Sequence, residues 1–227
     1  MKRSARLNAE QRRQAIVTAV RSLFSEKGFH ATKTRELAKA AGVSEALIYK
    51  HFPSKQTLYA AMLDDSARGP WFVQFHRILK LEPSVATLVV MVHFTISHYA
   101  RNHDADKTAL NGLMARSLLE DGEFARLTYD KFAEAWRRKF DACLKQAAKS
   151  GDLDCEGMRG DLCMWFVHHV GFSLMLHRRP AVPAIAYKAS EDSLIDQACY
   201  FALRGVGLKE EAIGRHYNSQ LLALLDD

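Results

Sequence analysis

The sequence predicts an all-α fold. Strand-like alternation of apolar and polar residues is nearly absent from the 227 residues, whereas apolar residues recur at steps of three and four along most of the chain. Only 5 prolines and 12 glycines interrupt this pattern, and several stand where one predicted helix ends and the next begins. With 48% hydrophobic residues, the composition is that of one or two globular domains with a core.

The N-terminal quarter predicts four short helices. The first covers Ala9–Lys27 and ends at Gly28. Residues 33–52 predict two more helices joined by a tight turn, in which Gly42 takes the left-handed conformation and Ser44 caps the following helix. A helix–turn–helix of this size is the module that inserts its second helix into the major groove of DNA. A fourth helix begins at Ser54, ends near Ala67 and has an apolar inner face.

The remainder predicts seven further helices after a boundary at Gly69-Pro70, which separates a domain of residues 10–70 from one of residues 71–227. The predicted helices cover residues 71–80, 84–102, 106–119, 123–149, 162–176, 190–204 and 209–225. The stretch 162–176 is apolar nearly all round, which predicts a helix buried on two sides.

Charge is distributed unevenly. Residues 1–63 carry 12 Lys/Arg and 4 Asp/Glu, a net charge of +8, whereas the rest is slightly acidic. This asymmetry predicts a polyanionic partner for the N-terminal part, with a merely solvated basic surface as the alternative. The N-terminus lacks the apolar segment of a secretory signal, and no apolar run is long enough for a membrane span, so we expect a cytoplasmic protein without a membrane partner. The four cysteines form no CxxC pair, which favours reduced, partly buried thiols.

Residues 12–63 resemble the TetR-type (TetR/AcrR-like) transcriptional regulators. The resemblance lies in a set of spaced features: Ala19, Leu23, Phe24, Gly28, Phe29, Thr32, Thr34, the segment ELAKAAGVS and the segment YKHFPSKQTLY. It implies a three-helix DNA-binding domain, a C-terminal helical domain for ligand binding and dimerisation, and a recognition helix at residues 44–52.

The resemblance also assigns roles in DNA binding. Residues in the first turn of the recognition helix are expected at base edges, and these are Ser44, Glu45, Ala46 and Leu47. Side chains expected at backbone phosphates are Thr34, Tyr49, Lys50, His51 and Lys55. The family often carries a basic residue and a glycine where this chain has Glu45 and Ala46. Glu45 would accept from a cytosine amino group or simply complement the helix dipole, and Ala46 and Leu47 would touch thymine methyl groups.

The C-terminal part contains candidates for an apolar ligand pocket between helices. They are Trp71, Phe75, Phe94, Tyr99, Trp136, Phe140, Trp165 and His168. Ordinary core packing is the alternative for each of them. The histidines, including His103, are not spaced as metal ligands, so neither a metal nor a cofactor is predicted.

These patterns together predict a homodimeric repressor that binds a palindromic site on double-stranded DNA. The resemblance implies that two late helices from each subunit form the dimer interface, and a two-fold dimer would place the recognition helices one DNA turn apart. A small hydrophobic or aromatic effector would release the DNA by moving the fourth helix. Two alternatives remain at this stage: an enzyme built on a helical bundle, for which no catalytic motif is present, and a sequence-neutral architectural DNA-binding protein.

Overall fold

The computed structural model describes residues 8–28, 31–66, 69–101, 105–154 and 159–224. The helices in these ranges are α1 (Ala9–Lys27), α2 (Thr34–Ala40), α3 (Glu45–His51), α4 (Lys55–Ser66), α5 (Pro70–Lys80), α6 (Val85–Ala100), α7 (Ala105–Leu119), α8 (Glu123–Lys149), α9 (Gly160–Arg178), α10 (Glu191–Gly205), α11 (Glu210–His216) and α12 (Ser219–Ala223). In these ranges the only β-type pairing is an isolated antiparallel bridge between Leu153 and Leu208. The predicted all-α fold is confirmed.

The chain forms two compact units. The first contains the described residues within Met1–Phe72 and His103–Lys131, and the second contains those within Val73–Asn102 and Phe132–Asp227. The first unit therefore adds α7 and the beginning of α8 to the four N-terminal helices. The domain boundary at Gly69-Pro70 stays a prediction.

Helix ends in the first unit follow from their local sequences. Asn8 and Gln11 form a reciprocal capping box at the start of α1, and Gly28 ends this helix with a φ of 80°. Gly42 has a φ of 63°, and Ser44 Oγ accepts a hydrogen bond from the Leu47 amide at 3.2 Å. The predicted turn between α2 and α3 is confirmed in both respects.

An aromatic contact forms the centre of the first unit. The ring of Tyr59 on α4 lies edge-on to Phe24 of α1 and to Phe124 of α8, with centroid distances of 4.9 and 5.1 Å. All three side chains are buried, as are the predicted inner-face residues Leu58 and Met62 of α4. Burial raises the pKa of Tyr59, so its hydroxyl stays protonated.

Polar contacts fix α4 against its neighbours within this unit. Arg21 and Gln14 of α1 both donate to the Asp65 carboxylate, and Arg21 is only 4% exposed. Lys131 of α8 pairs with the adjacent Asp64. The buried Arg21 charge is tolerated because the Asp65 carboxylate neutralises it and accepts its hydrogen bond. The two bonds to Asp65 also hold α4 against α1.

The second unit is built around α6, most of whose residues are buried. It packs on α9 at Gly171, where an added Cβ would lie 3.2 Å from the Ile96 Cα atom and the Thr95 carbonyl oxygen. At the other end Arg178 of α9 bonds both the Ala100 carbonyl and Glu191 of α10. A small residue therefore permits close helix contact, and an arginine joins three helix ends.

One sequence prediction for the C-terminal part was wrong. The helix expected over residues 209–225 is divided into α11 and α12, because Tyr217 is extended and buried and Asn218 caps the second helix. Within one chain α9 is buried on one side, and its burial on a second side against a partner stays a prediction. Its exposed side carries Leu162, Phe166 and Leu176. Phe29, Ala67, Asn102, His103, Cys155 and Leu225 lie outside the described residues.

Candidate nucleic-acid interface and aromatic cluster

Helix α3, the predicted recognition helix, presents its first turn to solvent. Ser44, Glu45 and Ala46 are exposed and Leu47 is half-buried, whereas Ile48 and Phe52 pack into the core of the first unit. The helix thus rests on one apolar side and leaves the residues predicted for base contact available. Their contacts with bases stay a prediction.

Two predicted phosphate-binding residues come together on this surface. The Tyr49 hydroxyl and Thr34 Oγ1 lie 3.0 Å apart, which joins α3 to the start of α2. Tyr49 is 53% exposed, so its hydroxyl keeps access to an outside acceptor. Such a pair of hydroxyl groups is suited to donate to phosphate oxygens.

The three predicted basic residues differ in their surroundings. Lys50 is exposed and His51 is half-buried. Lys55, at the start of α4, donates from Nζ to the Thr32 carbonyl at 2.9 Å. This bond orients the Lys55 ammonium at the start of α4, and its contact with a phosphate stays a prediction.

Arg13 on α1 belongs to the same region and was missed by the sequence reasoning. Its Nη1 donates to the carbonyl oxygen of His51 at 3.0 Å, and its guanidinium carbon lies 4.4 Å from the centroid of the Phe52 ring. The partners are 38 and 39 positions away along the chain, so no local pattern indicates the contact.

The second unit contains a continuous aromatic cluster. Phe75 of α5 stacks on Trp136 of α8 at a centroid distance of 4.9 Å, and Phe94 of α6 lies 5.5 Å from the same Trp136 ring. His98 continues the series to Tyr99 at 5.1 Å. Seven of the eight predicted ligand residues belong to this unit. The eighth, Trp71, lies in the first unit, where its ring contacts Phe72.

A polar pair ends the aromatic cluster. The Tyr99 hydroxyl and His168 Nε2 form a hydrogen bond of 2.9 Å between α6 and α9. The rings of Trp165 and Phe172 lie 5.7 and 5.8 Å from the His168 imidazole, which is 9% exposed. Burial, with a smaller contribution from His169, lowers the pKa of His168 to about 4, so the imidazole is neutral near neutral pH.

Other kinds of site find little support among the described residues. No group of three His, Cys, Asp or Glu side chains in this part of the chain is arranged to hold a metal ion. None of the described helices is long and apolar enough to cross a membrane. Cys143, Cys163 and Cys199 are buried and form no disulfide with one another, and burial raises the pKa of Cys143.

Known proteins are similar to this chain above all in its N-terminal region. Residues 16–62, which contain most of α1 and all of α2 and α3, match the sequence model described as bacterial regulatory proteins, tetR family. The chain is 31% identical over 103 residues to the nucleoid occlusion factor SlmA of Mannheimia succiniciproducens, a match that covers 45% of this chain and 47% of that protein. It is 29% identical over 151 residues to the transcriptional repressor KstR2 of Rhodococcus jostii, covering 64% of this chain and 71% of the repressor.

The likeness extends to the whole fold. The structure of AibR in complex with isovaleryl coenzyme A and operator DNA superposes with a TM-score of 0.62 at 15% identity, covering 84% of this chain and 97% of that one. At this identity the comparison speaks for the fold alone. The chain spans about half the length of the SlmA protein it matches. The family's sequence model thus matches the helix–turn–helix region, residues 16–62, which is similar to that of the tetR family of bacterial regulatory proteins.

Proposed function

We propose that this protein is a homodimeric, sequence-specific DNA-binding transcriptional repressor that a small hydrophobic or aromatic effector releases from its operator. The observation that carries the proposal is the helix–turn–helix, with α3 resting on Ile48 and Phe52 and its first turn exposed. The net charge of +8 in residues 1–63 supplies the attraction to phosphates. The named repressor KstR2 and the operator complex of AibR support this reading.

A preference for one DNA sequence over random DNA distinguishes a specific regulator from an architectural DNA-binding protein. Genomic DNA fragments would be selected on the purified protein in the presence of excess random duplex. A regulator enriches a small set of fragments with a shared palindrome, and their affinity exceeds that for random DNA by at least about 10³-fold. Equal affinity for selected and random duplexes would refute specific regulation and favour the architectural alternative.

The homodimer is supported by the exposed side of α9. Residues 162, 166, 169, 173 and 176 are all exposed and follow steps of four and three, the spacing of a helix–helix seam. Phe166 on this side is 57% exposed, and Phe201 on α10 is 69% exposed. Large apolar side chains in this arrangement suit a self-complementary two-fold interface between α9 and α10 of two copies.

The dimer is tested by mass in solution. Multi-angle light scattering should give twice the 25.6 kDa of one chain, and the combined change Phe166→Glu with Phe201→Glu should give monomers. Leu119→Glu is the matched control, because Leu119 is 84% exposed but lies on α7 of the first unit. If the Phe166→Glu, Phe201→Glu double variant remains dimeric, the exposed side of α9 and α10 is not the dimer interface.

The aromatic cluster is the proposed effector site. Phe94, Tyr99 and Trp136 offer apolar and aromatic surface, and the Tyr99–His168 pair offers neutral hydrogen-bonding groups. A neutral imidazole favours an uncharged polar group on an otherwise apolar ligand over a free carboxylate. The presence of isovaleryl coenzyme A in the AibR structure supports acyl compounds as one class to screen.

An effector must favour the released state to act. A compound that raises the melting temperature and also lowers operator affinity fits the proposal, whereas one that stabilises the protein without changing DNA binding does not. Because Asp65 joins α4 to α1 through Arg21 and Gln14, we expect any movement of α4 to carry α1 with it. If the compound no longer lowers the operator affinity of a Tyr99→Phe, His168→Leu double variant, the effector response belongs to the aromatic cluster.

A further inference from the structure

The contact between Arg13 and the end of α3 has a geometry suited to placing the recognition helix. Arg13 lies in the first part of α1 and is half-buried. Its guanidinium donates to the His51 carbonyl at 3.0 Å and covers the Phe52 ring at 4.4 Å. His51 is the last residue of α3, so its carbonyl is one of the four that a helix leaves without an internal partner.

We propose that Arg13 is a positioning residue for DNA reading, which holds the C-terminal end of α3 from α1 and thereby sets the angle of the recognition helix. This inference rests on the proposed DNA-binding function. It assigns Arg13 to the protein's own helix end rather than to a phosphate.

Three features make the contact effective. A cation at a helix C-terminus interacts favourably with the helix dipole. Phe52 is buried against the core of the first unit, so the guanidinium is held by hydrogen bonding and by the ring face together. Finally, α3 has only seven residues, and a helix of this length depends on its tertiary contacts for its position.

Arg12 provides a matched control on the same turn of α1. Arg12 is half-buried and carries the same charge, and within the described ranges its side chain has no recorded polar partner. Arg12→Met and Arg13→Met therefore remove equal charge from neighbouring positions, and only the second removes the link to α3.

The experiment compares both variants on a selected operator and on random duplex over a range of salt. We expect both to lose the same affinity for random DNA. On the operator, Arg13→Met should lose about tenfold more affinity than Arg12→Met. The slope of log K against log salt should be the same for the two variants. A slope that is smaller by about one for Arg13→Met would mean a lost phosphate contact and would overturn the proposal. Equal operator affinity of the two variants would overturn it as well.

Hydrogen exchange on the DNA-free protein gives an independent measurement. The Phe52 amide donates to the Ile48 carbonyl at 2.8 Å, and it should exchange faster in Arg13→Met than in Arg12→Met. Arg13→Lys keeps the charge and a donor, so it should restore most of the protection and of the operator affinity, even if Arg13→Met folds poorly. Unchanged protection of the Phe52 amide in Arg13→Met would refute the placement role. If the wild-type protein selects no operator, the proposed function fails, and the exchange result alone decides whether Arg13 holds α3.

Discussion

Removal of the buried His168 imidazole should flatten the dependence of stability on pH. Burial lowers its pKa from 6.5 to about 4 in the folded protein, so between these values the unfolded chain binds a proton that the folded chain excludes. The stability associated with the neutral imidazole is therefore complete above about pH 6.5 and is lost as the pH falls towards 4. This pKa shift contributes about 3 kcal/mol to the free energy of unfolding in total. About 2 kcal/mol of it is lost between about pH 7.5 and pH 5.

The assay is urea denaturation of wild type and His168→Gln at both pH values and at fixed protein concentration, followed by tryptophan fluorescence. Two of the three tryptophans, Trp136 and Trp165, lie in the second unit with His168. The variant should be less stable than wild type at about pH 7.5, because the contact with Tyr99 is changed. Between the two pH values, however, its free energy of unfolding should fall by about 2 kcal/mol less than that of wild type. An equal loss in wild type and His168→Gln would refute the buried neutral imidazole.

Three further changes probe the first unit. Asp65→Ala leaves the buried Arg21 charge without its carboxylate and should lower the free energy of unfolding by about 3–5 kcal/mol. The double variant with Arg21→Met should recover part of this loss in urea denaturation. Purely additive effects of the two changes would contradict the pairing. Gly42→Ala should cost about 1 kcal/mol in thermal denaturation through the backbone alone, since nothing lies within 4 Å of the added Cβ, whereas Gly42→Asn should cost less. Tyr49→Phe removes the exposed hydrogen bond to Thr34 and should lower the free energy of unfolding by at most about 1 kcal/mol. It should also weaken operator binding about fivefold in fluorescence anisotropy, and unaltered affinity would remove Tyr49 from the phosphate contacts.

Local features of the fold could be predicted from the sequence because their causes are local. The bounds of α1 and α8 follow from apolar steps of three and four and from the glycines Gly28 and Gly151, which end these helices. The α2–α3 turn follows from Gly42 and Ser44, whose conformation and hydrogen bonding are intrinsic to these residues. The break between α11 and α12 could not be predicted, since Tyr217 leaves the helix to bond Asp196 on α10.

The candidate sites divide in the same way. Thr34 and Tyr49 could be named from the resemblance to a family, and the structure shows that they share a hydrogen bond. The pairing of Tyr99 with His168 joins positions 69 apart, and the contact of Arg13 with His51 joins positions 38 apart. Both depend on tertiary placement, which a single sequence does not encode in any short pattern.

The short length of α3 connects these observations with function. A helix of seven residues is marginal by itself, so the placement of its exposed first turn depends on the Ser44 cap, on the burial of Ile48 and Phe52, and on the guanidinium of Arg13. Two kinds of change will therefore weaken DNA binding: those that remove a contact with DNA and those that displace the helix. The first kind reduces the salt dependence when it removes a phosphate contact, and the second reduces the preference for the operator while leaving the salt dependence intact. Because α1 holds both α3 through Arg13 and α4 through Asp65, a shift of α4 can reach the recognition helix through α1 without any change in the residues that touch DNA.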